Sequence, residues 1–223
     1  MSSLPVKWPM PDALHAAPER AARRRRRAAT PDDRHIFFRH WLRNPLGIGA
    51  ALPSGTKVAR GMARELSLSR PGAVLELGGG TGGVTRGLIA AGCPIERLVV
   101  IEREPDLAAY LARRFTGLRV ICGDACDTGA LLAGAGIDSL ATVVSSLPIK
   151  WFPRPAQRAI LDACFSRLGS DGAFVQLTNA LASPIPAEEF GLAGEEVLRI
   201  WAHFLPVQIW RYRRDPAAAN GRC

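Results

Sequence analysis

A cluster of glycines that follows a short β-rich run constrains this chain more than any other feature. The segment VLELGGGTGGVT passes from branched aliphatic residues into glycines at positions 78–80 and 82–83, and a helical pattern follows. A strand that turns into a helix through glycines is typical of a nucleotide-binding site on a doubly wound parallel sheet. Glycine has no side chain, so the backbone can approach a ligand closely. The segment therefore predicts a strand, a ligand-binding loop and a helix in succession.

The segments around this cluster repeat the same order of β-rich run and helical pattern. Five nearly continuous apolar runs alternate with helices, which predicts a parallel sheet covered on both faces. A helix capped by Ser54 or Thr56 precedes them, and two final runs broken at Pro206 predict an antiparallel hairpin at the sheet edge. We therefore expect an α/β fold with a seven-stranded, mostly parallel sheet. The five runs are AVLELG, RLVVIER, LRVICGD, ATVVSSL and GAFVQLTN, the last preceded by a helix at about 154–168.

Two kinds of cofactor fit the glycine cluster. Gly78, Gly80 and Gly83 satisfy the dinucleotide pattern G-x-G-x-x-G, and Glu102 at the end of the next strand could hold ribose hydroxyls. The same segment also reads E-x-G-x-G-T-G from Glu76, which is the donor loop of S-adenosylmethionine-dependent methyltransferases. Three features favour the methyl donor: a capped helix before the first strand, GDA after the third strand, and SSLP after the fourth.

A family resemblance rests on the order of six motifs. They are PSGTKVARGM, LELGGGTG, VIEREPDL, GDA, VSSLPIKWFP and PVQIWRYRR. Over about residues 34–214 the chain resembles bacterial phospholipid N-methyltransferases, which are similar to ribosomal RNA adenine dimethyltransferases. The resemblance implies a Rossmann-like class I methyltransferase fold with an N-terminal amphipathic helix. It also implies S-adenosyl-L-methionine as donor, S-adenosyl-L-homocysteine as product, no metal, and stepwise N-methylation of phosphatidylethanolamine toward phosphatidylcholine.

The resemblance also assigns the residues that would hold the donor. Glu102 would take the ribose hydroxyls and Asp124 the adenine amino group. The glycines would let the backbone approach the donor, and the start of the first helix would face its methionine carboxylate. The expected donor site comprises Ser54, Gly55, Thr56, Glu76, Gly78, Gly80, Gly82, Glu102, Asp124, Ala125 and Ser145.

The acceptor side is expected at the SSLPIKW segment. By resemblance, the Ser146 hydroxyl and the Leu147 carbonyl would hold the N–H groups of the amine and aim its lone pair. Trp151 would hold the methylated ammonium by its aromatic face, with Trp41 and Trp201 as further candidates. His40 is the candidate proton acceptor, His203 is a weaker one, and proton loss to water is an equal alternative.

The N-terminal region is basic and amphipathic. Residues 1–45 carry 10 Lys and Arg against 4 Asp and Glu, which gives +6 of the total +9. An arginine run at 23–27 precedes an aromatic amphipathic helix, a combination that suits an anionic membrane surface. We expect a disordered basic tail over 1–33, a membrane-binding helix over 34–45, the methyltransferase domain over 46–215 and a tail over 216–223. The residues expected to meet membrane or headgroup are Arg34, Phe37, Phe38, Arg39, Trp41, Leu42, Arg43 and Lys150.

The composition limits where in the cell the protein is expected, and individual residues weigh against some of the alternative functions. The chain has no run of 18 apolar residues and no secretory signal pattern, and its five cysteines form no CxxC pair. We expect a cytoplasmic monomer bound peripherally to the inner face of the membrane through anionic phospholipids, with no nucleic-acid partner. The alternatives are RNA adenine N6-dimethylation, methylation of another amino lipid such as an ornithine lipid, and a scaffold that binds without catalysis. Ile149 opposes a nucleobase target, because base-directed relatives place a stacking aromatic there.

Overall fold

The computed structural model describes residues 53–202 and 205–217. Helices and strands alternate along this part of the chain until the last two strands. The helices are α1 Pro53–Arg64, α2 Gly83–Ala90, α3 Pro105–Arg114, α4 Thr128–Gly134 and α5 Arg154–Phe165. The strands are β1 Ala73–Leu77, β2 Leu98–Glu102, β3 Arg119–Cys122, β4 Leu140–Ser145, β5 Leu168–Thr178, β6 Leu192–Ala202 and β7 Leu205–Arg214.

The seven strands form one sheet in the order β3-β2-β1-β4-β5-β7-β6. Strands β1 to β5 pair in parallel, while β7 runs antiparallel to both β5 and β6. The predicted mostly parallel sheet with an antiparallel edge hairpin is confirmed. All residues of β2 and β4 are buried, as expected for strands covered on both faces.

Two apolar cores cover the two faces of the sheet. On one face, Leu132 of α4 and Ile160 of α5 pack against strand residues such as Phe174. On the other face, Met62 of α1 and Leu111 of α3 pack against their own set of strand residues. Helices on both faces leave the strand ends as the part of the sheet that can meet a ligand.

Several predicted boundaries differ from the structure. Helix α1 already includes Ser54 and Thr56, so neither residue stands before the helix, where a cap must lie. Helix α5 ends at Phe165 rather than near 168, because the chain enters β5 at Leu168, which pairs with Leu140 of β4. Pro206 does not separate the last two strands but lies within β7, opposite Trp201 of β6.

Part of the sequence analysis concerns residues outside the described ranges. The tail over 1–33, the amphipathic helix over 34–45 with His40, and His203 all fall there. Their roles stay predictions.

Candidate donor and acceptor site

The predicted donor residues from Glu76 onward meet at one edge of the sheet. Strands β1, β2, β3 and β4 are parallel, so their carboxyl ends lie side by side. The glycine loop follows β1, Glu102 ends β2, Asp124 follows β3 and Ser145 ends β4. This edge is where doubly wound sheets bind their ligands.

The glycine loop has a backbone conformation that side chains disfavour. Gly78, Gly80 and Gly82 all have positive φ, at 79°, 53° and 78°. A Cβ added to Gly82 would lie 2.6 Å from the Phe115 ring, whereas one added to Gly80 would meet nothing within 4 Å. Gly82 is therefore needed for packing, and the space beside Gly80 can admit a ligand against the backbone.

Glu102 is fixed by two backbone amides. The Gly80 N–H donates to its Oε2 at 2.8 Å, and the Glu104 N–H donates to its Oε1 at 2.9 Å. The side chain is 1% exposed. A carboxylate oxygen can accept more than one hydrogen bond, so both oxygens keep capacity for a pair of hydroxyl groups. The geometry fits the predicted ribose contact.

Glu76 is buried beneath the glycine loop. Its Oε2 accepts a 2.8 Å hydrogen bond from Thr85 Oγ1 of α2, and its Oε1 has no partner. Burial, with a smaller contribution from the negative charge of Glu102, raises the pKa of this carboxyl to about 8. Glu76 is therefore mostly protonated at neutral pH, and it ties β1 to α2.

Asp124 lies at the opening of the turn after β3. Its Oδ1 accepts from the Cys126 N–H at 2.9 Å, and its Oδ2 lies 3.7 Å from Arg103 Nη1. The side chain is 40% exposed, while the neighbouring Ala125 is buried. A held but accessible carboxylate beside an apolar residue fits the predicted adenine contact.

The loop after β4 contacts the glycine loop directly. Ser146 Oγ donates a 2.7 Å hydrogen bond to the Gly78 carbonyl, and the Ser145 hydroxyl accepts from the Leu147 N–H. The Leu147 carbonyl accepts from Ile149 N–H and from Gln176 Nε2, each at 2.8 Å. Both lone pairs of that carbonyl are thereby used. Of the two predicted amine acceptors, the Ser146 hydroxyl oxygen is the one that can still accept a hydrogen bond from the amine.

Two buried glutamines that the sequence analysis did not single out lie in the neighbouring strands β5 and β7, and one of them, Gln176, bonds this loop. Gln176 in β5 and Gln208 in β7 are both 0% exposed. Gln176 Oε1 and Gln208 Nε2 have no hydrogen-bond partner, and a buried polar group left unpaired costs about 1–3 kcal/mol. Their signal in the sequence was a polar residue inside each of the apolar runs FVQL and PVQIW.

The segment that follows Pro148 separates into buried and exposed residues. Ile149 is 0% exposed and belongs to the core, so it presents no surface for stacking. Trp151 is 68% exposed, and the Lys150 ammonium lies 5.7 Å from its ring centroid. The ring can therefore accept a cation on its face. Leu181 and Trp201 are each 68% exposed as well.

The described ranges hold neither a metal-binding cluster nor a membrane-spanning helix. Across residues 53–202 and 205–217, no cluster of three or more His, Cys, Asp or Glu is arranged to bind a metal ion. In those same residues, no helix has the length and apolar character that crossing a membrane requires.

Sequence comparison finds methyltransferases. The chain is 32% identical over 149 residues to an ornithine lipid N-methyltransferase of Singulisphaera acidiphila, spanning 66% of this chain and 78% of that protein. It is 34% identical over 125 residues to the ribosomal RNA small subunit methyltransferase A of Mesorhizobium japonicum, of which it spans only 44%. No family model matches the chain.

Solved structures with the same fold are also methyltransferases. One is a 1,6-didemethyltoxoflavin-N1-methyltransferase of Burkholderia thailandensis with bound S-adenosylhomocysteine, with a TM-score of 0.56 and 19% identity over 84% of this chain and 92% of that one. Another is an O-methyltransferase of Bacillus cereus in complex with S-adenosylhomocysteine, with a TM-score of 0.55 and 11% identity over 81% and 89%. At these identities the likeness shows the fold.

Proposed function

Because the chain belongs to the family of S-adenosylmethionine-dependent methyltransferases that includes the ornithine lipid N-methyltransferase of Singulisphaera acidiphila, we propose that it methylates the headgroup amine of an amino lipid. The protein is a methyltransferase with S-adenosyl-L-methionine as its donor. Ornithine lipid is the first candidate substrate. The comparison favours it over phosphatidylethanolamine, which the sequence analysis placed first.

The observation that carries an amine target is the arrangement of the loop after β4. The Ser146 hydroxyl bonds the Gly78 carbonyl of the glycine loop. The position after Pro148, where base-directed relatives place a stacking aromatic, is occupied by Ile149, which is buried in the core. Methylation of a nucleobase needs a surface on which the flat ring can stack. An aliphatic amine needs only hydrogen-bond acceptors of the kind that Ser146 offers.

The chain's own residues have three tasks in this reaction. Glu102, Asp124 and the glycine loop would hold and orient the donor, which supplies an electrophilic methyl group when bound. The loop after β4 would align the amine and exclude water. The amine must also lose its proton, since an alkylamine has a pKa of about 10 in water. Neutral surroundings of low polarity lower that pKa, and Ser146 adds no negative charge that would raise it.

Binding to a membrane surface is the second part of the proposal. Trp151, Leu181 and Trp201 are exposed, and they follow or end strands β4, β5 and β6 near the carboxyl edge that holds the candidate site. Tryptophan beside lysine is typical of residues at a bilayer interface. The chain carries a net charge of +9, which favours anionic lipid. The amphipathic segment predicted over 34–45 would add to this surface.

A methylation assay tests the proposal. Purified protein is incubated with methyl-labelled S-adenosylmethionine and vesicles that contain an anionic lipid plus either ornithine lipid or phosphatidylethanolamine, with ribosomal RNA in a separate reaction. We expect label in methylated ornithine lipid. Label confined to phosphatidylethanolamine would change the substrate within the same class. Label in RNA alone, with both lipids unlabelled, would overturn the proposal.

A further inference from the structure

Gln176 and Gln208 occupy adjacent strands on one face of the sheet. Gln176 pairs with Trp210, and Thr178 pairs with Gln208, so the two glutamines are diagonal neighbours across β5 and β7. Paired residues and residues two apart share a face. On the other side, Gln176 pairs with Ser145 of β4. Gln176 thus lies beside β4, the strand that leads into the loop with Ser146, and Gln208 lies one strand further from it.

The orientation of each amide is fixed by its partners. Gln176 Nε2 donates to the Leu147 carbonyl at 2.8 Å and the Leu177 carbonyl at 2.6 Å, which only an NH₂ group can do. Gln208 Oε1 accepts from Trp210 Nε1 at 2.8 Å, and the indole nitrogen is only a donor. An acceptor oxygen of Gln176 and a donor nitrogen of Gln208 therefore remain without partners.

We propose that these two amide atoms bind the acceptor headgroup: Gln176 Oε1 accepts an N–H of the amine, and Gln208 Nε2 donates to an oxygen of the same headgroup. The inference rests on the proposed function and adds the residues that recognise the substrate. Its ligand class is an aliphatic amine with a carboxylate, amide or phosphate oxygen a few bonds away. Ornithine lipid and phosphatidylethanolamine both carry that chemistry.

Neutral amides suit this task better than a carboxylate. A negative charge beside the amine would favour its protonated form, which cannot attack. An amide oxygen accepts an N–H of the neutral amine without that effect. Each transfer forms one N–C bond, breaks the bond between the donor sulfur and its methyl group, and releases one amine proton to water. Neither glutamine gains or loses a proton.

The position of the pair supports its contact with the substrate. Gln176 Nε2 bonds the Leu147 carbonyl, which the sequence analysis had given the task of holding the amine. That carbonyl has no lone pair left, whereas the Gln176 oxygen at the other end of the same amide is unpaired. Under this proposal Gln176 Oε1, rather than the Leu147 carbonyl, accepts the N–H of the amine.

Two substitutions and a matched control test the inference. Gln208→Glu keeps an oxygen for Trp210 and replaces the donor nitrogen with a second oxygen. Gln176→Met removes the acceptor oxygen at similar volume. Gln157→Met is the control, because Gln157 is equally buried but both of its amide atoms have partners, Phe152 and Arg154. Thermal unfolding and titration with S-adenosylhomocysteine check the fold and the donor site of each variant.

Steady-state methylation is measured with vesicles of ornithine lipid and of phosphatidylethanolamine. For Gln208→Glu we expect the lipid KM to rise at least 10-fold. For Gln176→Met we expect kcat to fall at least 10-fold. Donor affinity should stay within 2-fold of wild type in all three variants. The lipid whose KM responds identifies the headgroup that the pair recognises.

Two negative outcomes are distinguishable. If the wild-type protein labels lipid and both variants match Gln157→Met in KM and kcat, the inference is wrong and the proposed function stands. If the wild-type protein binds S-adenosylhomocysteine but labels neither lipid, the proposed function is wrong and the inference falls with it.

Discussion

The Gly80 N–H donates a 2.8 Å hydrogen bond to Oε2 of Glu102, 22 residues further along the chain. This bond joins the glycine loop after β1 to the end of β2. It fixes the carboxylate beside Gly80, whose added Cβ would meet nothing within 4 Å. A donor lying against Gly80 would therefore meet a carboxylate already held in place, able to accept from the ribose hydroxyl groups as we propose.

Glu102→Gln should weaken donor binding. The substitution keeps the shape of the side chain but replaces one acceptor oxygen with an NH₂ group. That NH₂ would face either the Gly80 N–H, which is itself a donor, or the ribose hydroxyls, which would lose an acceptor. Hydrogen bonds to a charged group contribute about 1.5–3 kcal/mol each. We expect at least about a 10-fold loss of affinity for S-adenosylhomocysteine by calorimetry. Glu96→Gln, at an exposed residue in the turn before β2, should bind like wild type, and equal losses in both would contradict the assignment.

Gly80→Ala and Gly82→Ala should separate binding from packing. Both positions have positive φ, which costs alanine about 1–2 kcal/mol. Only the Cβ at position 82 would also clash, with Phe115 at 2.6 Å. We expect Gly82→Ala to lower Tm markedly more than Gly80→Ala. We expect Gly80→Ala to lose S-adenosylhomocysteine binding at least about 10-fold, since its methyl group enters the ligand space. A Gly80→Ala protein with unchanged donor affinity would refute this reading.

Glu76→Gln should flatten the pH dependence of stability. The carboxyl has a pKa of about 8 in the folded protein and 4.5 ordinarily, so the folded state binds more protons between these values. The contribution of Glu76 protonation to the free energy of unfolding is fully present below pH 4.5 and is lost as the pH rises through 8. Between pH 5 and 9 we expect the wild-type Tm to fall more than that of Glu76→Gln, by roughly 5 °C. Parallel Tm curves would show that Glu76 does not titrate in this range.

Ser146→Ala should slow methyl transfer without preventing donor binding. The hydroxyl holds the loop after β4 against the Gly78 carbonyl at 2.7 Å and would orient the amine. We expect a fall in kcat of about 10-fold with lipid vesicles, and less than a 3-fold change in S-adenosylhomocysteine affinity. Ser166→Ala is the control, because that exposed hydroxyl lies just after α5, where it donates to the Ala163 carbonyl and accepts from Arg167 Nη1. A kcat equal to that of the control would remove Ser146 from the acceptor site.

Trp151→Ser combined with Trp201→Ser should reduce binding to anionic vesicles. Full burial of a large apolar side chain contributes up to about 3 kcal/mol, and both rings are exposed near the carboxyl edge of the sheet. We expect co-sedimentation affinity to fall about 10-fold, which is about 1.4 kcal/mol. Tyr110→Ser on α3, also an exposed aromatic, should bind like wild type. Unchanged binding of the double variant would exclude this edge as a membrane contact.

Local patterns in the sequence predicted where the candidate donor residues lie in the fold. The glycine loop, Glu102 and Asp124 each lie at the end of a strand that its own apolar run identifies, and parallel strands bring those ends together whatever the packing details. Helix caps and boundaries were less predictable. Ser54 and Thr56 suit a cap by residue type, but the helix had already begun at Pro53.

The sequence by itself determined the order of strands and helices, the position of the ligand-binding edge and the class of cofactor, because these depend on periodicity and on residues close together in the chain. Only the tertiary structure decided which polar atoms at that edge are still able to bind. The Leu147 carbonyl lost its lone pairs to Ile149 and to Gln176, the latter 29 residues away. Gln176 is oriented in part by that same Leu147 carbonyl, and Gln208 by the indole N–H of Trp210, which leaves Gln176 Oε1 and Gln208 Nε2 unpaired. Hydrogen-bond capacity is limited at each atom, so its use depends on neighbours that the chain supplies only when it is folded.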